Sequence, residues 1–354
     1  MALKAELYKS TLNFRFDAGT SRGVLKNKTS IFIKLFDNQN PECFGLGEAG
    51  PLKGLSSDFF SAENKLQEMI ELINNEVITF QNFEDSLKKI YKHSSVLFAL
   101  ESAFFDLNNG GFRKIFANDF YDNKKPIEIN GLIWMGDVAF MQHQIKDKIK
   151  NGFTTIKIKI GAINFEQELF ILKSIRNEFS AEEITLRVDA NGAFEYKNVL
   201  EKLKALSKFE IHSIEQPIKA GNIEEMARLC EISPVPVVLD EELLGNEENK
   251  IKLLSTIKPH FIILKPSLMG GFSGSKSWIQ AANNLGIQWW ITSALESNIG
   301  LNAICQFTAE FDNNLPQGLG TGQLFSNNFD SPLTISNGNI FYDSGKNWDL
   351  KLFS

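Results

Sequence analysis

Charged side chains that could carry acid–base and metal chemistry recur at one kind of position in the second half of the chain, at or near the end of a short β-branched run. They are Lys157, Lys159, Asp189, Glu215, Asp240 and Lys265. From Asp189 onward the intervals are 26, 25 and 25 residues. One strand followed by one crossover helix occupies about that length, so successive members of the set should follow successive parallel strands.

These residue types define a chemistry. Carboxylates that are brought together repel one another unless a cation joins them, and their hard oxygens suit Mg²⁺. Asp189, Glu215 and Asp240 are therefore the predicted metal ligands. Lys159 and Lys265 would flank the bound substrate, and a lysine close to other positive charges can act as a base near neutral pH. Together with a cation that stabilises charge on a substrate carboxylate, the set predicts abstraction of a proton next to a carboxylate.

Short β-rich runs alternate with helix-length amphipathic stretches from residue 154 onward, which predicts a parallel sheet with helices outside it. A strand at 127–134 starts the series. The later strands are predicted at 154–160, 184–189, 211–215, 236–240, 261–265 and 287–292. Seven or eight strands over about 200 residues favour a closed α/β barrel, whose active site lies at the carboxyl ends of the strands. An open doubly wound sheet is the alternative, but no GxGxxG follows a first strand.

The first hundred residues have a different pattern, that of an α+β domain. Strands are predicted at 3–16 and 29–36. The stretch FGLGEAGPL at 44–52 contains glycines and a proline, which indicate a turn or loop. Helices are predicted at 62–73 and 96–107, and the second is apolar nearly all round, which is typical of a buried helix.

Composition limits the classes of partner. The 354 residues carry 37 Lys and Arg against 43 Asp and Glu, a net charge of −6, which does not favour nucleic acid or anionic membrane. No apolar run approaches the ~20 residues of a membrane span, and the first residues lack a signal-peptide core. Three widely separated cysteines indicate a reducing compartment. We therefore predict a cytoplasmic protein that acts on a small-molecule carboxylate, with no prediction of its oligomeric state.

The motifs KIKIG, VDANGAF, IEQP, VLDEEL and LKPSLMGG, in this order, resemble those of the enolase superfamily, in its muconate-lactonising subgroup. FGLGEAGPL looks like a loop of that family's capping domain. The resemblance implies a modified TIM-type (β/α)7β barrel with an N-terminal α+β capping domain. The barrel would occupy 121–324, and the capping domain 1–120 together with the C-terminal segment 325–354.

The resemblance also implies roles for individual residues. Lys159 matches the base on the second barrel strand, Lys157 its electrostatic neighbour, and Lys265 the lysine on the sixth strand. Asn191 and Glu241 match positions around the metal. The metal is implied to be Mg²⁺, with Mn²⁺ as a substitute, and its ligands are implied to be Asp189, Glu215 and Asp240.

Several reactions share this site within the subgroup. Dipeptide epimerases carry an Asp-x-Asp near the last barrel strand, but 316–328 reads PQGLGTGQLFSNN and has no acidic pair. That stretch, with Gly320 and Thr321, and TSALESNIG at 292–300, with Ser293, instead resemble the members that dehydrate 2-succinyl-6-hydroxy-2,4-cyclohexadiene-1-carboxylate (SHCHC) to 2-succinylbenzoate in menaquinone biosynthesis. The resemblance implies that Lys159 removes the proton and then assists departure of the hydroxyl.

Substrate selection is predicted to involve a loop at 18–26, with Arg22 as a candidate partner of the succinyl carboxylate. A plain hairpin is the alternative for this loop. Two other functions stay open. One is an N-acylamino acid racemase or dipeptide epimerase that uses both lysines as bases. The other, from a different class, is a catalytically inactive binding module, against which the intact lysines and carboxylates argue.

Overall fold

The computed structural model describes residues 2–20 and 23–354. Its N-terminal part is a three-stranded antiparallel sheet covered by helices. The strands are β1 (Leu3–Thr20), β2 (Gly23–Asp37) and β3 (Asn40–Ala49). The helices are α1 (Ala62–Asn74), α2 (Phe83–Leu87) and α3 (Ser94–Asn108). All but two of the 15 residues of α3 are buried, as its apolar sequence predicts.

The structure corrects the prediction for FGLGEAGPL, because Phe44 to Ala49 belong to strand β3. The glycines have a packing role here. Gly45 and Gly47 face α3, and a Cβ on either would collide with the backbone carbonyl of Ala103 or Ala99. Glycine therefore permits close approach of helix and sheet, rather than a turn.

The predicted loop at 18–26 is also corrected. Beyond a register shift after Asn13, strands β1 and β2 pair again, with Ala18 opposite Leu25 and Gly19 opposite Val24. Residues 18–20 and 23–26 thus belong to the two strands of a long hairpin, and Gly19 forms a bridge to Met135 near the barrel. Arg22 lies outside the described residues.

Seven parallel strands, adjacent in chain order, form the main sheet. They are β5 (Gly131–Ile133), β6 (Thr155–Lys159), β7 (Thr185–Asp189), β8 (Ser213–Glu215), β9 (Val237–Leu239), β10 (Phe261–Leu264) and β11 (Gln288–Ile291). The helices between and after them are α4 (Val138–Lys150), α5 (Phe165–Glu178), α6 (Tyr196–Ser207), α7 (Ile223–Ile232), α8 (Lys250–Ile257), α9 (Gly271–Asn284) and α10 (Asn298–Thr308). This confirms the predicted strand–helix alternation.

The sheet closes through an extended segment in the eighth position. Gly318 bridges in parallel to Thr292, which follows β11, and Gln317 bridges in parallel to Ile129, which precedes β5. The Gly318 N–H donates to the Ile291 carbonyl at 2.8 Å, and the Asn130 N–H donates to the Gln317 carbonyl at 2.9 Å. The expected (β/α)7β barrel with an N-terminal capping domain is therefore the observed fold.

The predicted strand at 127–134 divides into two. Its first part, β4 (Ile127–Glu128), leaves the barrel and pairs with the C-terminal hairpin of β12 (Leu333–Ser336) and β13 (Asn339–Tyr342). The last turn of the chain contacts the capping sheet, where Phe353 packs on Phe32. The C-terminal segment thus contacts both parts of the protein. Among the described residues, we find no helix with the length and hydrophobicity of a membrane span.

Glu101 joins the capping helix α3 to the barrel. Its carboxylate accepts hydrogen bonds from the backbone N–H groups of Phe272, at 2.5 Å, and Ser273, at 3.3 Å, in the first turn of α9. Burial raises the pKa of Glu101 to about 7, although these hydrogen bonds act in the opposite direction. A buried carboxylate at a junction between two parts of the fold makes stability depend on pH.

We expect the wild type to lose stability relative to Glu101→Gln as pH rises from 5 to 8. A carboxyl whose folded pKa exceeds its unfolded value adds stability at low pH, and this contribution is lost as pH rises through the folded pKa. The differential change in the free energy of unfolding should be about 1–3 kcal/mol. Denaturant titrations of both proteins at pH 5 and pH 8 measure it. A difference that is the same at both pH values would contradict the prediction.

Candidate active site

Strand register brings the predicted charged residues to one end of the barrel. Asp189 ends β7, opposite Lys159 of β6 and Glu215 of β8. Asp240 and Lys265 follow β9 and β10 directly. Because alternate residues of a strand point the same way, Lys157 projects with Lys159 into the barrel. The three carboxylates are 1–3% exposed, and the side chains of the three lysines are at most 13% exposed.

Each carboxylate at this end of the barrel has a lysine ammonium group beside it. The Lys157 ammonium lies 3.1 Å from Asp189 Oδ2 and also contacts Glu215. The Lys159 ammonium lies 3.0 Å from the same Asp189 oxygen. On the far side Lys265 contacts Asp240. Each buried charge therefore has an opposite charge beside it, as burial requires.

The pKa shifts show how the charges influence one another. Burial alone would raise the pKa of Asp189, but Lys157 and Lys159 hold it well below its usual range. Burial and the Asp189 carboxylate together raise the pKa of Glu215 to about 8. For Lys157, burial acts to lower the pKa, and the two neighbouring carboxylates outweigh it and raise it. The raised pKa of Glu215 means that its neighbouring lysines do not fully compensate its burial and its repulsion by Asp189.

The donor set fits a hard divalent cation. Three buried carboxylates on successive strands offer the oxygen ligands that Mg²⁺ prefers, and a cation would relieve the charge repulsion at Glu215. In the described residues, however, no three His, Cys, Asp or Glu side chains are arranged as a ready metal cage. Lysine ammonium groups instead contact carboxylate oxygens of Glu215 and Asp240. Cation binding therefore competes with Lys157 and Lys265 for Glu215 and Asp240.

Asn191 orients the Lys159 ammonium. Its Oδ1 accepts a hydrogen bond from Lys159 Nζ at 2.8 Å, and its Nδ2 donates to Glu241 Oε1 at 3.1 Å. Its backbone N–H donates to Asp189 Oδ1 at 3.0 Å. The structure thus brings together Asn191 and Glu241, and places Asn191 directly on the lysine.

A cavity of about 490 Å³ opens above these residues. Its floor and sides include five of the charged residues, Lys157, Lys159, Asp189, Glu215 and Lys265. The size and the polarity of the cavity suit a small organic ligand. The capping part contributes the hairpin residues 23–25 and the segment 52–55. The other predicted site residues in the wall are Asn191, Ser293, Gly320 and Thr321. Thr321 Oγ1 lies 2.7 Å from Ser293 Oγ, so these two hydroxyls form one polar edge.

Sequence reasoning missed three side chains around this cavity. Trp134 follows β5 and places its ring 5.9 Å from Lys159 Nζ. Arg187 is 2% exposed inside the barrel, 4.0 Å from the Trp290 ring. Period-2 alternation in the strand could have indicated Arg187, since it lies two residues before Asp189. Lys28 lies behind the cavity wall, and its strand pattern contains no signal for this position.

Comparisons with known proteins agree with the fold. Residues 141–345 match the family described as enolase C-terminal domain-like. An o-succinylbenzoate synthase from Desulfotalea psychrophila is 42% identical over 361 aligned positions, covering 93% of this chain and 96% of that protein. The crystal structure of MenC from the same organism has a TM-score of 0.82 at 38% identity, covering 96% of this chain and 100% of that one. An N-succinylamino acid racemase from Thermus thermophilus is 26% identical over 303 positions, covering 84% and 79%.

The fold and the site together define a capped βα barrel with lysines and carboxylates at the carboxyl ends of its strands. With these matches, the chain belongs to the enolase superfamily and, within it, to the family of o-succinylbenzoate synthase.

Proposed function

We propose that this protein catalyses the o-succinylbenzoate synthase reaction, the Mg²⁺-dependent dehydration of SHCHC to 2-succinylbenzoate in menaquinone biosynthesis. The observation that carries the proposal is the placement of one buried lysine on each side of the cavity. Lys159 on β6 and Lys265 after β10 stand four positions apart in an eight-position barrel, so they approach a bound carboxylate from opposite faces. The 42% identical o-succinylbenzoate synthase supports the same reaction.

The cavity wall favours an anionic substrate over a dipeptide. Residues 316–328 contain no Asp or Glu, and Gly318, Gly320 and Thr321 from this segment line the cavity. A substrate ammonium group would have no counter-charge there. N-acylamino acid racemisation is the second candidate, because it also uses an anionic substrate and lysines on both faces. The similarity to an N-succinylamino acid racemase is the reason for including this reaction in the experiment below.

Proton transfer is the task of Lys159. Held by Asn191 and Asp189, its amine takes the proton α to the ring carboxylate, which breaks that C–H bond. Lys265 remains a cation on the opposite face and stabilises the developing negative charge, by charge or by a cation–π contact with the ring. The protonated Lys159 then gives its proton to the leaving hydroxyl. The C–O bond breaks, water departs and the ring becomes aromatic.

Asp189, Glu215 and Asp240 would hold Mg²⁺, with Mn²⁺ as a substitute. When bound, this ion stabilises negative charge that develops on the substrate carboxylate. Lys157, whose pKa is raised by Asp189 and Glu215, stays positive beside the ligands. We also propose that the barrel domain, 121–324, carries the catalytic residues and that the capping domain, 1–120 with 325–354, covers them. The protein would work in the cytoplasm on a small-molecule carboxylate, without binding nucleic acid or membrane.

The experiment is an ultraviolet assay of the purified protein with SHCHC and Mg²⁺. We expect the spectrum of the aromatic product to appear, and to appear only with enzyme and metal. A parallel assay follows racemisation of N-acylamino acids and of dipeptides by chiral chromatography. Rapid racemisation without dehydration of SHCHC would replace the proposed reaction with that of a racemase or epimerase. Inactivity in both assays, with metal bound, would favour a binding module.

A further inference from the structure

A second cluster of buried charges lies behind the cavity, where the capping sheet meets the barrel. Glu48 of β3 and Glu296, which follows β11, are completely buried, and Lys28 of β2 is 6% exposed. Charged groups at such depth are costly unless they are bonded to partners. The bonds that these three residues make therefore reveal what the cluster holds in place.

Lys28 reaches from the capping sheet to a turn that forms part of the cavity wall. Its ammonium donates to the backbone carbonyl of Leu295 at 2.8 Å and lies 3.4 Å from that of Ala294. Ser293, Ala294 and Leu295 all line the cavity. Leu295 has a φ of +66°, a left-handed conformation that leucine adopts only where its surroundings impose it. The hydrogen bond from the Lys28 ammonium to the Leu295 carbonyl is one of the contacts that impose this conformation.

The two carboxylates hold the ends of the same turn. Glu48 accepts hydrogen bonds from the backbone N–H groups of Ser297, at 2.9 Å, and Gly300, at 3.0 Å, at the start of α10. Glu296 accepts from the Ser293 hydroxyl, which in turn accepts from Thr321. The Lys28 charge lies near both carboxylates and opposes their repulsion. The turn is thus held by Glu296 and Ser293 from the barrel, and by Lys28 and Glu48 from the capping sheet.

We propose that Lys28 is a positioning residue through which the capping sheet sets the shape of the cavity wall at 293–295. The site around it is closely fitted, because a Cβ at Gly50 would come within 2.5 Å of the Lys28 ammonium. Lys28 is not among the residues that line the cavity. It acts through the turn, so its loss should change the wall while leaving Lys159 and Lys265 in place.

The kinetic consequence rests on the proposed function. A wall that contacts substrate equally in the ground state and the transition state changes KM more than kcat. Lys28→Met should therefore raise the KM for SHCHC about tenfold or more, with kcat within about threefold of wild type. The matched control is Lys34→Met on the same face of the same strand. Lys34 also donates to a backbone carbonyl, that of Phe353 at 2.8 Å, but this contact is at the C-terminal turn.

Lys34→Met should keep both kinetic constants within about twofold of wild type. Equal kinetic effects of the two substitutions, at equal loss of thermal stability, would overturn the positioning role. If Lys28→Met does not fold, Gly50→Ala serves instead. The added methyl group should displace the Lys28 ammonium, while the lysine keeps its charge. This substitution should raise KM in the same way, and unchanged KM in Gly50→Ala would also count against the proposal.

Hydrogen–deuterium exchange separates this proposal from the proposed reaction. In Lys28→Met or Gly50→Ala, amides of 293–297 should exchange at least several-fold faster than in the wild type. In Lys34→Met the faster exchange should occur at 350–353 instead. This readout needs no substrate, so it stands even if the wild type fails to dehydrate SHCHC. Unchanged exchange at 293–297 in both Lys28→Met and Gly50→Ala would overturn the proposal.

Discussion

Lys159→Ala should lower the turnover of SHCHC by about 10²–10⁴-fold or more, and should abolish exchange of the α proton of the substrate with solvent. Lys159 is the amine that Asn191 and Asp189 hold at the cavity, and alanine leaves no group there to take the proton. The ultraviolet assay measures turnover, and proton nuclear magnetic resonance in deuterium oxide measures exchange. Exchange at the wild-type rate in Lys159→Ala would show that another group is the base.

A pair of arginine substitutions tests the division of roles between the two lysines. Lys265→Arg keeps the positive charge, whereas arginine cannot serve as a base. In a dehydratase that moves protons only through Lys159, Lys265→Arg should retain more activity than Lys159→Arg. Metal content is measured in both variants, so that a lost ion is not mistaken for lost chemistry. Equal and complete inactivation of both, with metal retained, would remove this support for a single base.

Asp240→Ala should weaken Mg²⁺ binding to the point where turnover falls by about 10²-fold or more at moderate metal concentration. Removing one carboxylate leaves Asp189 and Glu215 to hold the cation, and it also deprives Lys265 of its ion-pair partner. Metal titrations of activity and calorimetric Mg²⁺ binding measure the effect. Excess chelator should have a similar effect on the wild type.

The control for this experiment is Asp312→Asn. Asp312 has an exposed carboxylate, with 88% of its side chain accessible. It lies in the loop between α10 and the segment that closes the barrel. Its substitution should leave the metal dependence unchanged. Full activity of Asp240→Ala, or of the wild type in excess chelator, would contradict the assignment of the three carboxylates as metal ligands.

The barrel could be predicted because its signals are local. Strands β6 to β11 lie within two residues of their predicted bounds, since each β-branched run is followed by an amphipathic helix. The regular spacing of Asp189, Glu215, Asp240 and Lys265 then placed them at one end of the barrel, because parallel strands end on the same side. The chemistry of these residue types indicated metal ligands and a lysine base, the family resemblance assigned a role to each residue, and these roles stay predictions.

The errors lie where the two parts of the protein meet. FGLGEAGPL was predicted as a turn or loop because glycine and proline favour turns, but Gly45 and Gly47 serve contact with α3. The segment 18–26 was predicted as a loop with a hairpin as the alternative, and its described residues, 18–20 and 23–26, follow the hairpin and reach the barrel near Met135. In both cases the conformation depends on a contact with a residue far away in the chain. A local sequence pattern carries no information about such a contact.

The sequence by itself determined the alternation of strands and helices, the identity of the charged residues at the strand ends and the absence of an acidic pair at 316–328. Only the tertiary structure decided that 316–318 closes the barrel, that Asn191 holds Lys159 and that Lys28 supports the Leu295 turn. The physical reason is range. Strand and helix preferences arise from side chains a few residues apart, whereas a cavity wall arises from segments such as 28 and 295, which meet only after the capping sheet docks on the barrel.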